Sequence, residues 1–337
     1  MILVTGGLGY IGSHACVSLS NAGQEVAILD NLSNSKASVL QRLRGICPNS
    51  VRFEKGDIRD KATLSRLFGT YQISAVMHFA GLKAVGESTK SPISYYDNNI
   101  GGTLCLLEAM TTAGVKTLVF SSSATVYGDS CNVPIPEENL RSATNPYGRS
   151  KLFIEDILAD LHSSDDQWRI ARLRYFNPVG AHESARIGED PVGIPANLMP
   201  YIAQVAVGHR ERLNVFGGDY PTRDGTGVRD YVHVMDLAEG HVAALRALQR
   251  QGGMLTVNLG TGSGTSVLEI IDAFSRVSHR DIPYQIVERR PGDVAQCYAA
   301  VAHAERVLEW KAKRNLADMC ADHWRWQVEN PNGYPQS

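Results

Sequence analysis

Residues 2–12 constrain this chain more than any other stretch. A short apolar run opens it, glycines follow at positions 6, 9 and 12, and apolar residues then recur at helical spacing. That order describes a β-strand, a tight turn and a helix. Gly6 lets the backbone turn sharply, Gly9 lets it approach a ligand closely, and Gly12 lets the helix pack against its strand. The free N–H groups at such a helix start suit a pyrophosphate. Asp30 ends the next apolar run, 18 residues beyond Gly12. A carboxylate there accepts hydrogen bonds from ribose hydroxyls and repels a 2′-phosphate, so NAD is expected rather than NADP. Alone, Asp30 and Asn31 would also suit the start of a turn.

The rhythm continues. Strand-like runs at 2–4, 25–29, 51–53, 75–79, 117–121 and 170–173 alternate with amphipathic stretches such as 11–22, 62–68 and 99–113. Strands separated by helices run parallel, so a doubly wound α/β sheet of Rossmann type is expected, with ligands beyond the carboxyl ends of its strands. Asp57 and Ile58 follow the third strand, where an adenine-contacting pair belongs, although an acid also suits a helix start. Ala80 and Gly81 close the fourth strand with small residues after Phe79, fit for close backbone approach. Lys83 then either reaches a ribose or phosphate or stands in a solvated loop.

From about residue 177 the texture changes. Residues 177–230 are rich in Gly, Pro, Asp and Asn, suggesting long loops that frame a pocket. A strand at 255–259, a helix opened by Ser266, a strand at 284–288 and a terminal helix around 315–329 follow. Residues 1–176 are expected to form the dinucleotide domain, with about 229–262 returning to it. Residues 177–337 are expected to form mainly a smaller α/β substrate lobe.

Asn145 and Pro146 can open a helix that carries Tyr147 and Lys151 one turn apart on one face. The fifth strand ends in Ser121, Ser122 and Ser123, where a hydroxyl faces the ligand edge, though serines also build turns. Together, Ser123, Tyr147 and Lys151 point to redox chemistry on a hydroxyl or carbonyl, with the phenol as base. Tyrosine titrates near 10, so a usable phenolate at neutral pH needs about 4 kcal/mol of stabilisation. An ammonium about 6 Å away, at an effective dielectric of about 20, supplies about 3 kcal/mol. The oxidised nicotinamide ring, alone or with the nearby helix start, must supply the rest.

A chain of 337 residues forms one large domain or two closely joined ones. Its net charge of −2, without a basic block, gives no case for nucleic acid or an anionic membrane. No apolar run is long enough to span a bilayer. The first strand begins at residue 2, so no cleavable leader is expected. Cysteines 16, 47, 105, 131, 297 and 320 lack Cys-x-x-Cys spacing and fit a reducing, cytoplasmic setting; no metal-ligand spacing is present.

The three sites together resemble the extended branch of the short-chain dehydrogenase/reductase superfamily, and longer strings narrow the match. His78-Phe-Ala-Gly-Leu-Lys-Ala-Val-Gly-Glu-Ser88, Leu173-Arg-Tyr-Phe-Asn-Pro-Val-Gly-Ala-His182 and Asp224-Gly-Thr-Gly-Val-Arg-Asp-Tyr-Val-His-Val-Met-Asp236 resemble the UDP-glucose 4-epimerase family. So do 95–98, 121–128, 197–204 and 333–335, and the similarity spans essentially the whole chain. The resemblance implies inversion at C4 of a UDP-linked hexose without net oxidation. Tyr147 would remove the 4-hydroxyl proton as hydride passes to NAD, Ser123 would hydrogen-bond the reacting oxygen, and Lys151 would hold the nicotinamide ribose and tune the phenol. The 4-keto sugar would then turn over and take hydride back on its other face.

The implied cofactor contacts are Gly6, Gly9, Tyr10, Ile11, Gly12, Asp30, Asn31, Asp57, Ile58, Phe79, Ala80, Lys83, Asn98, Tyr147, Lys151 and Tyr175. The implied substrate contacts are Lys83, Ser123, Phe176, Asn177, Asn197, Leu198, Phe216, Arg229, Arg290, Asp293 and Cys297. Guanidinium forks match diphosphate oxygens, although either arginine alone would also suit an exposed surface. Cys297 stands where epimerases restricted to glucose and galactose carry a tyrosine. The smaller side chain implies room for 2-acetamido sugars, hence UDP-N-acetylglucosamine and UDP-N-acetylgalactosamine; a cysteine filling a core gap is the plainer account. A homodimer joined through 99–113 and 151–161 is implied as well, though apolar residues there can equally serve the core.

Two other functions are open to such a fold. Nucleotide-sugar dehydratases and decarboxylases share the Tyr and Lys, but dehydratases place an Asp-Glu pair after the fifth strand. Here Ser123, Ala124, Thr125 and Val126 offer no carboxylate. A non-catalytic dinucleotide-sensing protein would have no need of Ser123, Tyr147 and Lys151 together.

Overall fold

The computed structural model describes residues 1–335 except 131, 192, 194, 196 and 291; Cys131 therefore lies outside the described residues. Strands β1 (Ile2–Thr5), β2 (Val26–Asp30), β3 (Val51–Lys55), β4 (Ala75–His78), β5 (Thr117–Ser121) and β6 (Arg169–Tyr175) occupy the first half. The second holds β7 (Asn177–Val179), β8 (Leu213–Phe216), β9 (Val228–His233), β10 (Met254–Leu259), β11 (Gly264–Ser266), β12 (Tyr284–Val287) and β13 (Gln296–Cys297). The helices of the first half are α1 (Tyr10–Asn21), α2 (Ser38–Ile46), α3 (Lys61–Thr70), α4 (Val85–Lys90), α5 (Pro92–Tyr96), α6 (Gly102–Thr112) and α7 (Pro146–Ser164). Those of the second are α8 (Leu198–Ala206), α9 (Val234–Gln251), α10 (Val267–Ser278), α11 (Ala302–Leu308) and α12 (Leu316–Glu329).

Seven strands form one parallel sheet in the order β10-β6-β5-β4-β1-β2-β3. Alternate residues of β1 serve opposite faces. Ile2 and Val4 join the core with Val17 of α1 and Leu248 of α9, whereas Leu3 joins Leu67, Leu107 and Ile154 of α3, α6 and α7. Both faces are covered, which is why these strands are apolar almost throughout. Fully burying one such side chain stabilises by about 1.5–3 kcal/mol. The winding reverses between β1 and β4, so their carboxyl ends flank the switch point where such sheets bind ligands.

The other strands form smaller sheets: β9 pairs with β11, β13 and β7, and β8 pairs with β12. The expectation of long loops over 177–230 needs correction, because β7, α8, β8 and the start of β9 lie there. Residues 177–179 pair with 231–233, and 213–216 with 284–287, so no local period announces them. The helix expected at 99–113 is also shorter. Asp97–Gly101 form a π turn ahead of α6, and Asn99 is buried. Its amide bonds Leu82 N, Leu82 O and Ser150 Oγ at 2.8, 3.1 and 3.0 Å. The Ser266 and Asn315 helix starts are both closed by capping boxes, with Glu269 and Asp318 as partners.

Candidate active site

The site grows from the carboxyl ends of β1 and β4. Gly6 has a φ of +68°, and a Cβ there would lie 2.7 Å from Ala80 N, so only glycine lets the two strand ends meet. A Cβ on Gly12 would lie 2.2 Å from Gly6 O, which fixes glycine where α1 crosses the turn. Gly9 occupies the N-cap of α1, no acid stands in the first turn, and Tyr10 and Ile11 follow. The positive end of that helix is therefore left for an anion, and the cradle suits a dinucleotide pyrophosphate.

Asp30, mostly buried, accepts from Leu8 N at 3.0 Å, Leu32 N at 2.9 Å and Ser35 Oγ at 2.8 Å. It thus ties the glycine turn to the end of β2, and Oδ2, which accepts only from Leu8 N, keeps a lone pair for a ribose. Asn31 Nδ2 donates to Asp57 at 2.9 Å. Hydrogen bonds from Arg59 hold the Asp57 carboxyl well below the usual carboxylate range. Ile58 is buried beside it. Phe79 packs 4.8 Å from the His241 ring, and Asn98 Nδ2 donates to Asn99 at 3.0 Å. Tyr10 OH donates to Gly180 O at 2.7 Å, joining the glycine turn to the segment after β7.

Asn145 caps α7, its side chain accepting from Gly148 N at 2.9 Å, and Pro146 takes the first helical position. This start brings Tyr147 and Lys151 to the end of β5, where Ser123 lies; they are only 7%, 5% and 7% exposed respectively. Lys151 Nζ donates to Ser121 O at 2.7 Å, and Tyr175 OH bonds Ser121 Oγ at 2.6 Å. Burial raises the Tyr147 pKa, and the Ser123 hydroxyl opposes it. Burial lowers Lys151 to about 8. The protein's own groups thus favour the neutral phenol, and use of Tyr147 as a base would need a further positive charge at the site.

The candidate substrate contacts come from separate elements. Phe176 is buried at the end of β6 and packs in one cluster with Val126 and Tyr127, against which Ala124 and Cys297 also lie. Cys297, on β13, is paired in register with Arg229 on β9, and burial pushes its thiol up to about 11. Arg229 Nη1 donates to Val228 O and Val294 O at 2.9 Å each, and its Nη2 lies 3.5 Å from Asp293. Arg290 stacks on Phe216 at 3.8 Å, so these two pair with each other rather than with the trio. Asn177 is exposed at the start of β7. Asn197 stands at the N-cap before Leu198, yet its side chain does not cap α8. It donates instead to Glu189 at 2.6 Å, and Lys83 approaches the same oxygen at 3.4 Å.

Two carboxylates were passed over in the sequence. Glu189, buried, joins Lys83 to Asn197, and nothing in its local spacing announces that. Glu155, also buried, lies one turn beyond Lys151, and helical spacing alone could have drawn attention to it. Among the described residues no group of three or more His, Cys, Asp or Glu side chains is arranged to hold a metal ion. No helix among them is long and apolar enough to cross a membrane.

Comparison with known proteins adds independent findings. The family model described as GDP-mannose 4,6 dehydratase matches residues 3–323. The UDP-glucose 4-epimerase of Bacillus subtilis is 59% identical over 333 residues, 99% of this chain and 98% of the relative. The structure of a UDP-glucose 4-epimerase from Stenotrophomonas maltophila, with bound NAD and formylated UDP-arabinopyranose, superposes with a TM-score of 0.96 at 54% identity, covering 98% of each chain. That of the Bifidobacterium longum UDP-glucose 4-epimerase, in complex with NAD+ and UDP, gives 0.95 at 53% identity over 99% of each.

Proposed function

The chain belongs to the UDP-glucose 4-epimerase family of the extended short-chain dehydrogenase/reductases, and on that premise we propose which of its side chains perform the reaction. It is an NAD-dependent 4-epimerase of UDP-hexoses. Bound NAD supplies the hydride acceptor and donor at C4. Gly6, Gly9, Gly12 and the start of α1 hold the pyrophosphate, Asp30 the adenosine ribose, and Asp57 with Ile58 the adenine. Phe79, Ala80, Asn98 and Tyr175 line the nicotinamide half.

Tyr147 takes the proton from the 4-hydroxyl and later returns it to the same oxygen. Ser123 hydrogen-bonds that oxygen, and Lys151 binds the nicotinamide ribose and favours the phenolate. Arg229 and Arg290 grip the diphosphate, while Asn177, Asn197, Leu198, Phe216 and Asp293 hold the nucleotide. The hexose itself must be held loosely enough to present either face. The observation that carries this assignment is the burial of Tyr147, Lys151 and Ser123 together at one strand end. NMR of the products from UDP-galactose tests it: the parent should yield the C4 epimer, and a Tyr147→Phe protein as fast as the parent would refute it.

The family model's description names a dehydratase, but residues 123–126 carry no carboxylate to move protons at carbon. The buried carboxylate nearby, Glu155, is engaged by Arg174. A dehydrated keto sugar among the products would reverse this reading.

The substrate range extends to UDP-N-acetylhexosamines. In support, Cys297 packs against the cluster that holds Phe176, Val126 and Tyr127, and a thiol there takes up less room than a phenol ring would. Wild type should turn over both sugar pairs, and Cys297→Tyr only the glucose/galactose pair; indifference of wild type to acetamido sugars would refute the point. The chain forms a homodimer through α5, α6 and α7, where Ile93, Leu104 and Phe153 are 82%, 48% and 46% exposed. Light scattering should show twice the chain mass, and half of it after Leu104→Glu. A cytoplasmic setting accords with free thiols at 16, 47, 105, 297 and 320, and cell fractionation tests it.

A further inference from the structure

Lys151 is a buried ammonium with no carboxylate bonded to it among the described residues. Its Nζ donates to the Ser121 carbonyl and lies 4.9 Å from the centroid of the Phe120 ring. A charge so placed is costly unless an opposite charge acts on it nearby. One turn further along α7 stands Glu155, fully buried, so that Tyr147, Lys151 and Glu155 form a ladder on one helix face.

Glu155 does not bond Lys151. Its Oε1 accepts from Ser122 Oγ at 2.6 Å and Arg174 Nε at 2.9 Å, and its Oε2 from Arg174 Nη2 at 2.6 Å and Arg141 Nη1 at 3.5 Å. Arg174 is held in turn by Tyr127 OH at 3.0 Å and Glu137 O at 2.8 Å. Ser122 sits between Ser121, whose carbonyl takes the Lys151 ammonium, and Ser123. A single carboxylate on the helix that carries Tyr147 and Lys151 therefore grips the strand end that presents Ser121 and Ser123.

We propose that Glu155 is a positioning residue for the epimerase reaction: it supplies the negative potential that lets Lys151 remain an ammonium, while its bond to Ser122 fixes the strand end carrying Ser121 and Ser123. This rests on the roles given above to Tyr147 and Lys151. The Arg174 fork has a purpose in the same scheme. A direct Lys151–Glu155 pair would cancel the ammonium's field at the phenol and draw the lysine away from a ribose. Arg174 keeps the carboxylate one turn back, where it acts at a distance.

The charged and titratable groups around this ladder include Arg172 and Arg174 from β6, Arg141 from the segment before α7 with Asp156 of α7 bonded to it at 2.7 Å, His78 from β4, and the phenols Tyr127, Tyr147 and Tyr175. His78 is held neutral by burial, its pKa near 3. The Glu137 carboxylate accepts from Asn258 N at 2.8 Å and acts on Tyr127. Glu155 is the anion that acts on Lys151, and it opposes the effect of burial there.

The experiment compares pH profiles of kcat for UDP-galactose in four NAD-loaded proteins: the parent, Glu155→Asp, Glu155→Gln, and Glu155→Gln combined with Arg174→Met. The double variant removes both buried charges, so it should melt close to the parent. Activity needs the ammonium, so it falls as pH rises through the lysine's pKa. Without Glu155 that alkaline limb should move down by about one pH unit in Glu155→Gln, and by less in Glu155→Asp and in the double variant, where loss of the Arg174 cation offsets part of the change. A folded Glu155→Gln protein whose alkaline limb coincides with the parent's would overturn the proposal, and if only the double variant folds, an unchanged kcat together with an unchanged limb in it would do the same. So would failure of both neutral variants to fold, because Glu155 would then be a structural group only. Tyr147→Phe and Lys151→Met, run in parallel, test the underlying reading separately: each should lose about a hundredfold or more of kcat at every pH.

Discussion

The two halves of this molecule present their candidate ligand contacts by different means. In residues 1–176 the backbone does most of the holding. Gly6 and Gly12 bring a strand end and a helix start together, and Asp30 is fixed by Leu8, Leu32 and Ser35, none more than 22 residues away. In residues 177–335 the contacts are side chains drawn from separate elements. Arg229 leans on the Val294 carbonyl, Arg290 stacks on Phe216, and Cys297 lies beside Arg229 only because β13 pairs with β9. A backbone cradle is rigid and fails as a whole, whereas a site of separate side chains can be altered one residue at a time. An epimerase has use for both, since the dinucleotide must stay fixed while the hexose turns over.

The largest expected effect falls where the halves meet. Tyr147→Phe should reduce kcat about 10²–10⁴-fold while NAD is still released on heat denaturation of the purified protein. Loss of NAD together with activity would show that the phenol serves binding instead. Gly6→Ala attacks the cradle: a Cβ 2.7 Å from Ala80 N, at positive φ, should cost about 1–3 kcal/mol and abolish NAD retention, visible in the melting temperature and bound nucleotide. An alanine protein with normal melting and full NAD would show that the cradle is not rigid.

Arg229→Met attacks the other half. It should weaken UDP binding by about 1.5–3 kcal/mol, roughly 10- to 150-fold, and leave NAD content untouched, as titration calorimetry can show. If NAD is lost too, the halves are less independent than their construction suggests.

The smallest effect concerns acid. Burial holds His14 and His78 near 3, and His241 and His323 near 4. Each is depressed below the ordinary value of about 6.5, so the stability each contributes is complete above that pH. It is lost as pH falls through the window toward 4 and 3. Melting temperature should therefore decline from pH 7 to pH 4.5, less steeply in His323→Gln. A parallel slope in that variant would remove His323 from the account.

The first half was legible because its information is local. Period-2 and period-3.6 patterns, Asn145-Pro146 before Tyr147, and the spacing of Gly6, Gly9 and Gly12 each act within a few residues. The capping boxes at Ser266 and Asn315 are of the same kind. The short strands of 177–230 were missed because their partners lie 54 to 71 residues away. The π turn at Asp97–Gly101 broke an expected helix for a similar reason: Asn99 is fixed by Leu82 and Ser150, not by its neighbours on the helix.

The sequence by itself determined the parallel sheet, the glycine turn and the residue types of the candidate catalytic trio, because strand, turn and helix preferences depend on the nearest neighbours along the chain. The tertiary structure alone decided how much of each side chain meets water, and hence its charge. Burial drives Tyr147 up and Lys151 down, opposite to what a base and its tuning cation need. It also placed Glu155 where its field reaches Lys151 and Glu189 where it joins Lys83 to Asn197. Those are effects of distance and dielectric in three dimensions, and no spacing along the chain encodes them.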